Sequence, residues 1–295
     1  MKYFITSFLC LLVLPLAAQA KVNIFACEPE WGALAQEIGG DQVDVTVAAS
    51  ARQDPHHIKA KPSLLAAMRK ADLVFCNGAS LEAGWLPVLQ ENAARPDTVF
   101  LFVADYVTKL GVATKVDRSM GDVHPDGNPH LVTDPRNIMR MAPVVADRLA
   151  AIDPAHAAEY QDRASAFHSR WQSLIAGWGK KAASLQGQNV VVYHEGWAYL
   201  LDWLKIRQVA ALEPKPGIPP SASHLQDVLK SVEGKQIKAI LVSPYQNPKA
   251  AEWLSEKTGI PVVGLAYTVG GNDRADTLEH LYDDTIDRLI RGQND

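Results

Sequence analysis

Residues 154–185 read PAHAAEYQDRASAFHSRWQSLIAGWGKKAASL, and this segment contains neither a strand pattern nor a cluster of turn residues. Its large apolar side chains recur at spacings of seven, four, three and four residues, at Tyr160, Phe167, Trp171, Leu174 and Trp178. These spacings place all five side chains on one face of a helix. A helix over the whole segment would be roughly 45 Å long, which is longer than most helices of a globular domain.

Short apolar runs with the composition of strands alternate with helical stretches on both sides of this segment. The predicted strands cover residues 21–27, 43–49, 71–76 and 98–103 before it, and residues 189–194, 206–213, 237–243 and 260–266 after it. Helical periodicity occurs at residues 32–40, 62–71, 224–234, 248–259 and 275–292. The alternation predicts an α/β protein with two lobes, each a parallel sheet flanked by helices, joined by one long rigid helix.

The chain therefore divides into an N-terminal α/β lobe over residues 21–153, a linking helix over residues 154–185 and a C-terminal α/β lobe over residues 186–295. Ligands of open α/β sheets bind beyond the carboxyl ends of the strands, so we expect the site in the cleft where the two sets of strand ends face each other. A rigid linking helix would limit how far the lobes can swing.

The first 20 residues have the features of a secretory signal peptide. They contain an early lysine, an apolar run over residues 8–16, and Ala18-Gln19-Ala20 before Lys21. This pattern predicts a cleavable signal and a mature protein that is exported to the periplasm. With 33 acidic and 29 basic residues, the chain lacks the basic excess of a nucleic-acid-binding protein. We expect a monomer.

Two cysteines, Cys27 and Cys76, remain after removal of the signal peptide, and each ends a strand-like run. In an oxidising compartment such a pair forms a disulfide, and we predict that Cys27 and Cys76 end adjacent parallel strands of the first lobe and are bonded. The alternative is that both are small buried apolar residues with free thiols.

Three of the nine histidines occupy loops that could line the cleft. His56 follows the second strand, His130 lies in the proline-rich loop GDVHPDGNPH (121–130), and His194 ends the first strand of the second lobe. Neutral imidazole is the commonest protein metal ligand, so these positions indicate a metal site. The ligands are too far apart in the sequence for a zinc finger or another local motif. His124, in the same loop as His130, is interpreted as an accessory residue that binds an ion transiently or is solvated.

Five segments of the chain resemble, in order, the motifs of the zinc/manganese solute-binding proteins of bacterial ABC importers. They are DPHHIKAKPS (54–63), ADLVFCNGASLEAGWLP (71–87), GNPHLVTDPRN (127–137), VVYHEGWAYL (191–200) and EPKPGIPPSASHL (213–225). The resemblance covers essentially the whole mature chain. It implies two α/β lobes joined by a long helix, with a metal ion bound in the cleft by His56, His130 and His194. The implied partners are a membrane permease and its ATPase, with a periplasmic metallochaperone as a further candidate.

The sequence departs from that family where a fourth, carboxylate ligand commonly follows the last strand. Here the segment reads GLAYTVGGND (264–273), and Asp273 is the nearest carboxylate. We predict Asp273 as the fourth ligand. The alternatives are Asp276, Glu28, Glu195 or a water molecule, and Glu195 also serves as an accessory candidate.

Three imidazoles and one carboxylate form a nitrogen-rich set of ligands that suits tetrahedral Zn²⁺, whereas Mn²⁺ prefers more oxygen ligands. The sequence therefore favours a zinc carrier, with a manganese or iron carrier of the same type as the alternative. A secreted zinc hydrolase would also combine three histidines with water. The HExxH and GxSxG motifs of familiar hydrolases are absent from the sequence, and we expect no enzymatic activity.

Overall fold

The computed structural model describes residues 20–112 and 124–292 of the chain. All but the last residue of the predicted signal peptide therefore lies outside the described residues. Among the described helices, none combines the length and the apolar character needed to cross a bilayer.

Two four-stranded parallel sheets form the framework of the molecule. The first contains β1 (Val22–Ala26), β2 (Val43–Val47), β3 (Leu73–Cys76) and β4 (Val99–Phe102), in the order β2-β1-β3-β4. The second contains β5 (Asn189–Val192), β6 (Arg207–Ala211), β7 (Ile237–Val242) and β8 (Val262–Gly264), in the equivalent order β6-β5-β7-β8. The eight predicted strands and the α/β class are confirmed.

Helices connect and cover these strands. They are α1 (Pro29–Gly39), α2 (Pro62–Lys70), α3 (Leu86–Ala93), α4 (Pro135–Ile152), α5 (Ala157–Lys181), α6 (Ala198–Leu204), α7 (Ala222–Val232), α8 (Lys249–Thr258) and α9 (Leu278–Arg291). Outside the linking segment, the sequence patterns predicted five of these helices: α1, α2, α7, α8 and α9. They did not predict α3, α4 and α6.

The long helix between the two sheets is α5, and its 25 residues span about 37 Å. It is shorter than the predicted 154–185 because 3₁₀ turns at Pro154–His156 and Ala182–Leu185 flank it. Its apolar face is buried as expected. The indole N–H of Trp171 donates to the carbonyl of Pro135 at the start of α4, and that of Trp178 donates to Asp283 in α9. The helix is thus fixed to elements on both sides of the molecule.

One hydrophobic core contains residues of both sheets. Ile24 and Leu73 from the first sheet, Val190 and Leu241 from the second, and Trp171 of α5 all belong to it. Each sheet also has a separate core on its other face. The two lobes are therefore joined through buried apolar surface as well as through the chain. The predicted lobe boundaries at residues 153 and 186 remain predictions.

The predicted disulfide is present. Cys27 follows β1 and Cys76 ends β3, which are adjacent parallel strands, and the two Cα atoms lie 4.8 Å apart. Both cysteines are fully buried at the carboxyl edge of the first sheet.

Candidate metal centre

Three imidazoles converge where the strand ends of the two sheets face each other. His56, His130 and His194 each offer one ring nitrogen, and these atoms all lie within 4.8 Å of one another. The ring centroids are 4.9 to 5.8 Å apart. We call this group the histidine site. Two of these side chains come from loops of the first half of the chain, and one comes from the second half.

His56 is held by its own loop. Its Nδ1 lies 2.7 Å from the Oδ1 of Asp54, and its backbone N–H donates to the same oxygen. The indole N–H of Trp85 donates to the carbonyl of Pro55 and anchors the loop to the first lobe. Burial alone would raise the pKa of Asp54, but the hydrogen bonds from His56 lower that pKa below its usual value. Asp54 is therefore an ionised acceptor that orients the imidazole.

His130 is the most buried of the three histidines, with 1% of its surface exposed. Its backbone N–H donates to the side chain of Asn128, and its Nδ1 lies 2.7 Å from the hydroxyl of Tyr267 in the second lobe. Burial lowers the pKa of His130 well below its usual value, and the neighbouring imidazoles lower it further. The ring is therefore neutral at physiological pH, as metal binding requires.

His194 lies two residues after the end of β5 and is oriented by the second lobe. Its Nδ1 lies 2.8 Å from the carboxylate of Glu213, in the loop after β6. The same carboxylate accepts a hydrogen bond from the backbone N–H of Gly217. His194 and Glu213 thus lie side by side just beyond the ends of two adjacent strands, β5 and β6.

These outer partners determine which nitrogen of each ring is available. A carboxylate only accepts hydrogen bonds, so Nδ1 of His56 and of His194 carries the proton and Nε2 presents a lone pair. Nε2 of His56 is buried without a hydrogen-bond partner, and the Nε2 atoms of His130 and His194 lie 2.9 Å apart. The outer partner of His130 is the hydroxyl of Tyr267, which can donate or accept. When it donates, Nε2 of His130 carries the proton and donates to Nε2 of His194, and a bound cation would replace that proton. A tetrahedral zinc ion with Zn–N bonds of 2.0–2.1 Å separates its nitrogens by about 3.3 Å, so only small ring movements would be needed.

Beside the ligands there is room for exchange with solvent. A cavity of about 190 Å³ is lined by His56 and His194 together with Asp54, Glu213 and Tyr245. The ring of His124 lies 5.2 Å from that of His56, at the rim of the cleft. Glu195 is exposed at the rim of the cleft. Its carbonyl oxygen accepts from the side chain of Asn128, and its carboxylate accepts from the side chain of Gln208.

The structure does not bring Asp273 to the histidine site. A backbone hydrogen bond from Gly270 to Ala275 closes a turn, and Asp273 lies exposed at its tip. Tyr267 and Thr268 of the same segment are buried and point inward instead. The alternative Asp276 is also exposed and binds His280. The expectation that a carboxylate from this loop contacts the three histidines is not met by the described positions.

Three residues that contact and orient the imidazoles were not singled out from the sequence: Asp54, Tyr267 and Glu213. Asp54 lies two residues before His56, and Glu213 begins one of the motifs that carry the family resemblance. Tyr267 stands near the place where a ligand carboxylate was sought. Such partners are a regular part of metal sites, because they fix the tautomer of the ligand and raise its basicity.

Comparison with known proteins agrees with this architecture. A sequence model of the family described as zinc-uptake complex component A, periplasmic (ZnuA), matches residues 24–292. The manganese-binding lipoprotein MntA of Halalkalibacterium halodurans is 26% identical over 271 residues, 88% of this chain and 85% of MntA. The zinc-binding lipoprotein AdcA of Streptococcus pneumoniae is 22% identical over 82% of this chain and 49% of AdcA. A crystal structure of ZnuA superposes with a TM-score of 0.78 at 23% identity and covers 92% of this chain and 98% of that one.

Proposed function

The chain belongs to the family of zinc-uptake complex component A, and from this membership we propose that it captures Zn²⁺ in the cleft and delivers the ion to an ABC-type import permease. The family is one of metal-binding transport components, so the chain is not an enzyme and the alternative of a secreted zinc hydrolase falls away. The observation that carries the proposal is the convergence of three oriented imidazole nitrogens at the histidine site.

We assign His56, His130 and His194 as the protein ligands of the ion. Each has Nδ1 engaged by an outer partner and Nε2 directed toward the other two rings. Because Asp273 lies outside this group, we propose that a water molecule completes a tetrahedral set. Such an open fourth position allows the ion to exchange ligands during transfer.

Zinc is favoured over manganese by the chemistry of the donors. The three converging donors are nitrogens, whereas Mn²⁺ favours carboxylate, carbonyl and water oxygens. The two charges of the ion are balanced by Asp54 and Glu213, which contact the ligands and not the ion. Since relatives include a manganese-binding and a zinc-binding protein, a manganese or iron carrier is the alternative that the experiment below addresses.

His124 and Glu195 are proposed as accessory residues at the rim of the cleft. The ring of His124 lies beside that of His56, so it could hold an arriving ion before the three ligands close around it. His124→Ala should therefore slow zinc loading and leave the equilibrium affinity nearly unchanged, whereas His130→Ala should greatly reduce the affinity. Stopped-flow and equilibrium titrations separate the two effects, and equal large losses of affinity would contradict this division of roles.

Delivery requires partners outside the chain. We propose a monomer in the periplasm, exported by its cleavable signal peptide, that docks on a membrane permease driven by an ATPase. A periplasmic metallochaperone is a candidate donor of the ion. Because α5 and the shared core join the lobes, release would involve small tilts that separate His194 from the other two ligands, without wide opening of the cleft.

The proposal is tested by elemental analysis of the protein purified without added metal, followed by competition between Zn²⁺ and Mn²⁺. We expect about one zinc per chain, and a large excess of Mn²⁺ should not displace it. His168→Ala is a matched control, because His168 is an exposed histidine on α5. A chain that retains one metal after His56→Ala, or that prefers Mn²⁺, would refute the assigned site or the assigned metal, respectively.

A further inference from the structure

Three glutamates are buried together at the carboxyl edge of the first sheet, and we call them the acid cluster: Glu28, Glu30 and Glu82. Their exposed fractions are 1%, 0% and 3%. Glu28 and Glu30 flank the start of α1, and Glu82 lies in the loop after β3, with its carboxylate beside the disulfide. Nothing in the proposed mechanism of metal capture uses these side chains.

No cationic side chain in the described part of the chain neutralises the acid cluster. Among the described residues, no ion pair includes any of the three carboxylates. Glu82 accepts hydrogen bonds from the backbone N–H groups of Asn77 and Gly78. As ionised groups, both oxygens of Glu28 and one of Glu30 would be buried without a hydrogen-bond donor. The amino terminus of α1 can stabilise part of one negative charge, but not three. Unpaired buried carboxylates are costly, so the cluster must carry protons.

The protonation follows from the surroundings of each group. Burial raises the pKa of Glu30 to about 7 and that of Glu82 to about 7. Burial and the nearby charges of Glu82 and Glu30 raise the pKa of Glu28 well above its usual value. The carboxyl groups of Glu28 and Glu82 face each other, so a proton on Glu28 replaces repulsion by a hydrogen bond.

A metal cage is a poorer explanation of the same groups. Among the described residues, the sets of ligand atoms that converge within 4.8 Å include Glu82 with the two bonded cysteines, but not the three glutamates together. A proton binds to a single carboxyl oxygen, so proton binding does not require ligand atoms of all three glutamates to converge.

The acid cluster is connected to the histidine site through the second lobe. The hydroxyl of Thr268 donates to Glu30, and the adjacent Tyr267 bonds Nδ1 of His130. The titratable groups that face the cluster from the second lobe are the phenols of Tyr245, Tyr267 and Tyr282. Burial raises the pKa of all three phenols, so they remain neutral. Asp54 and Glu213 face Tyr245 from the cleft side.

We propose that the acid cluster is a proton-binding site that releases protons when a divalent cation occupies the histidine site. The inference rests on the proposed function. The field of the cation crosses a buried region of low dielectric constant and favours the ionised carboxylates, and the released protons pass to the solvent buffer. By linkage, the same coupling makes acid weaken the binding of the metal beyond the effect of histidine protonation.

Calorimetry measures the proposed coupling. Zinc titrations at about pH 7 in buffers of different ionisation enthalpy give the number of protons released per ion bound. Glu30→Gln and Glu28→Gln keep the size of the side chain and remove the ionisable group. Because the pKa of Glu30 is about 7, this carboxyl holds about half a proton at pH 7, and Glu30→Gln should release up to about half a proton fewer than the wild type. Glu28→Gln should also release fewer protons than the wild type. Glu91→Gln, an exposed acid on α3 of the same lobe, is the matched control and should match the wild type.

A second measurement, infrared spectroscopy, detects protonated carboxyl groups directly and does not depend on the heats measured by calorimetry. The infrared difference spectrum between zinc-bound and metal-free protein should show loss of the carbonyl band of protonated carboxyl groups, and Glu28→Gln and Glu30→Gln should each weaken that signal. Wild-type proton release in both glutamine variants would overturn the inference while leaving the carrier function intact. A second zinc equivalent that disappears in Glu28→Gln would replace the proton site by a metal site. No zinc binding by the wild-type chain would overturn the carrier function and the inference together.

Discussion

Glu213 gives the sharpest test of how carboxylates outside the ligand set act on the bound ion. Its oxygen lies 2.8 Å from Nδ1 of His194 and also accepts from the backbone of Gly217. Glu213→Gln keeps an oxygen acceptor for both donors and removes only the charge. Glu213→Ala removes the acceptor as well. Comparison of the two variants separates the effect of charge from that of ligand orientation.

The expected loss of zinc affinity in the Glu213 variants follows from the distance between this carboxylate and the ion. Adding the width of the imidazole and a Zn–N bond to the 2.8 Å contact puts the carboxylate about 7 Å from the ion. Coulomb's law with an effective dielectric constant of about 20 then gives an upper limit of about 5 kcal/mol for the attraction. The carboxylate lines the cavity of about 190 Å³ beside the histidines. Losing one outer partner generally weakens metal affinity by about 10- to 100-fold, or about 1.4 to 2.7 kcal/mol. We expect about 10-fold for Glu213→Gln and about 100-fold for Glu213→Ala.

Competition with a chromogenic zinc chelator at constant pH measures both variants. Glu233→Gln, an exposed acid after α7 in the same lobe, should bind zinc like the wild type and controls for a change in net charge. Unchanged affinity in Glu213→Ala would refute the argument that this carboxylate orients His194 and balances the charge of the ion.

Three further predictions concern stability. Zinc at 1,000 times its Kd should stabilise the wild type by about 4 kcal/mol in thermal melting at pH 7.5. His194→Ala should lose most of that stabilisation. A full zinc-induced shift of the melting temperature in His194→Ala would contradict a site that spans the cleft. Because burial lowers the pKa of His130, the unfolded chain binds a proton that the folded chain excludes. The free energy of unfolding of the metal-free protein should therefore fall as the pH drops below about 6.5, and urea unfolding of His130→Gln should show a shallower fall. Replacing Cys27 and Cys76 together by serine opens a loop with a sequence separation of 49. This should cost about 4 kcal/mol in chemical denaturation, and a loss below about 1 kcal/mol would contradict the loop-entropy account.

The strands were predictable because parallel strands covered on both faces form continuous apolar runs. Helix α4 was missed although Ile138, Met141, Val145 and Leu149 recur at helical spacing and are buried. Pro143 lies inside the helix, where proline removes a backbone donor and normally marks a break. Here its ring is on the exposed side and the buried face continues past it.

The positions of the three histidines at strand ends indicated the histidine site, but its outer partners could not be found in this way. Tyr267 meets His130 across 137 residues, and this contact depends on how the lobes pack. The loop after β8 illustrates the same limit. Whether Tyr267 or Asp273 turns inward depends on the turn that begins at Gly270, which has a positive φ of 81°. Local composition does not specify the direction of such a turn.

The apolar core shared by the two sheets affects how this chain would perform as a metal sensor. In a freely hinged protein, fluorophores on the two lobes report binding through a change in energy transfer. Here α5 is fixed to α4 by Trp171 and to α9 by Trp178, so the distance between such labels should hardly change. A single environment-sensitive dye near Glu195, at the rim of the cleft, would report occupancy more strongly than any pair of labels on the lobes.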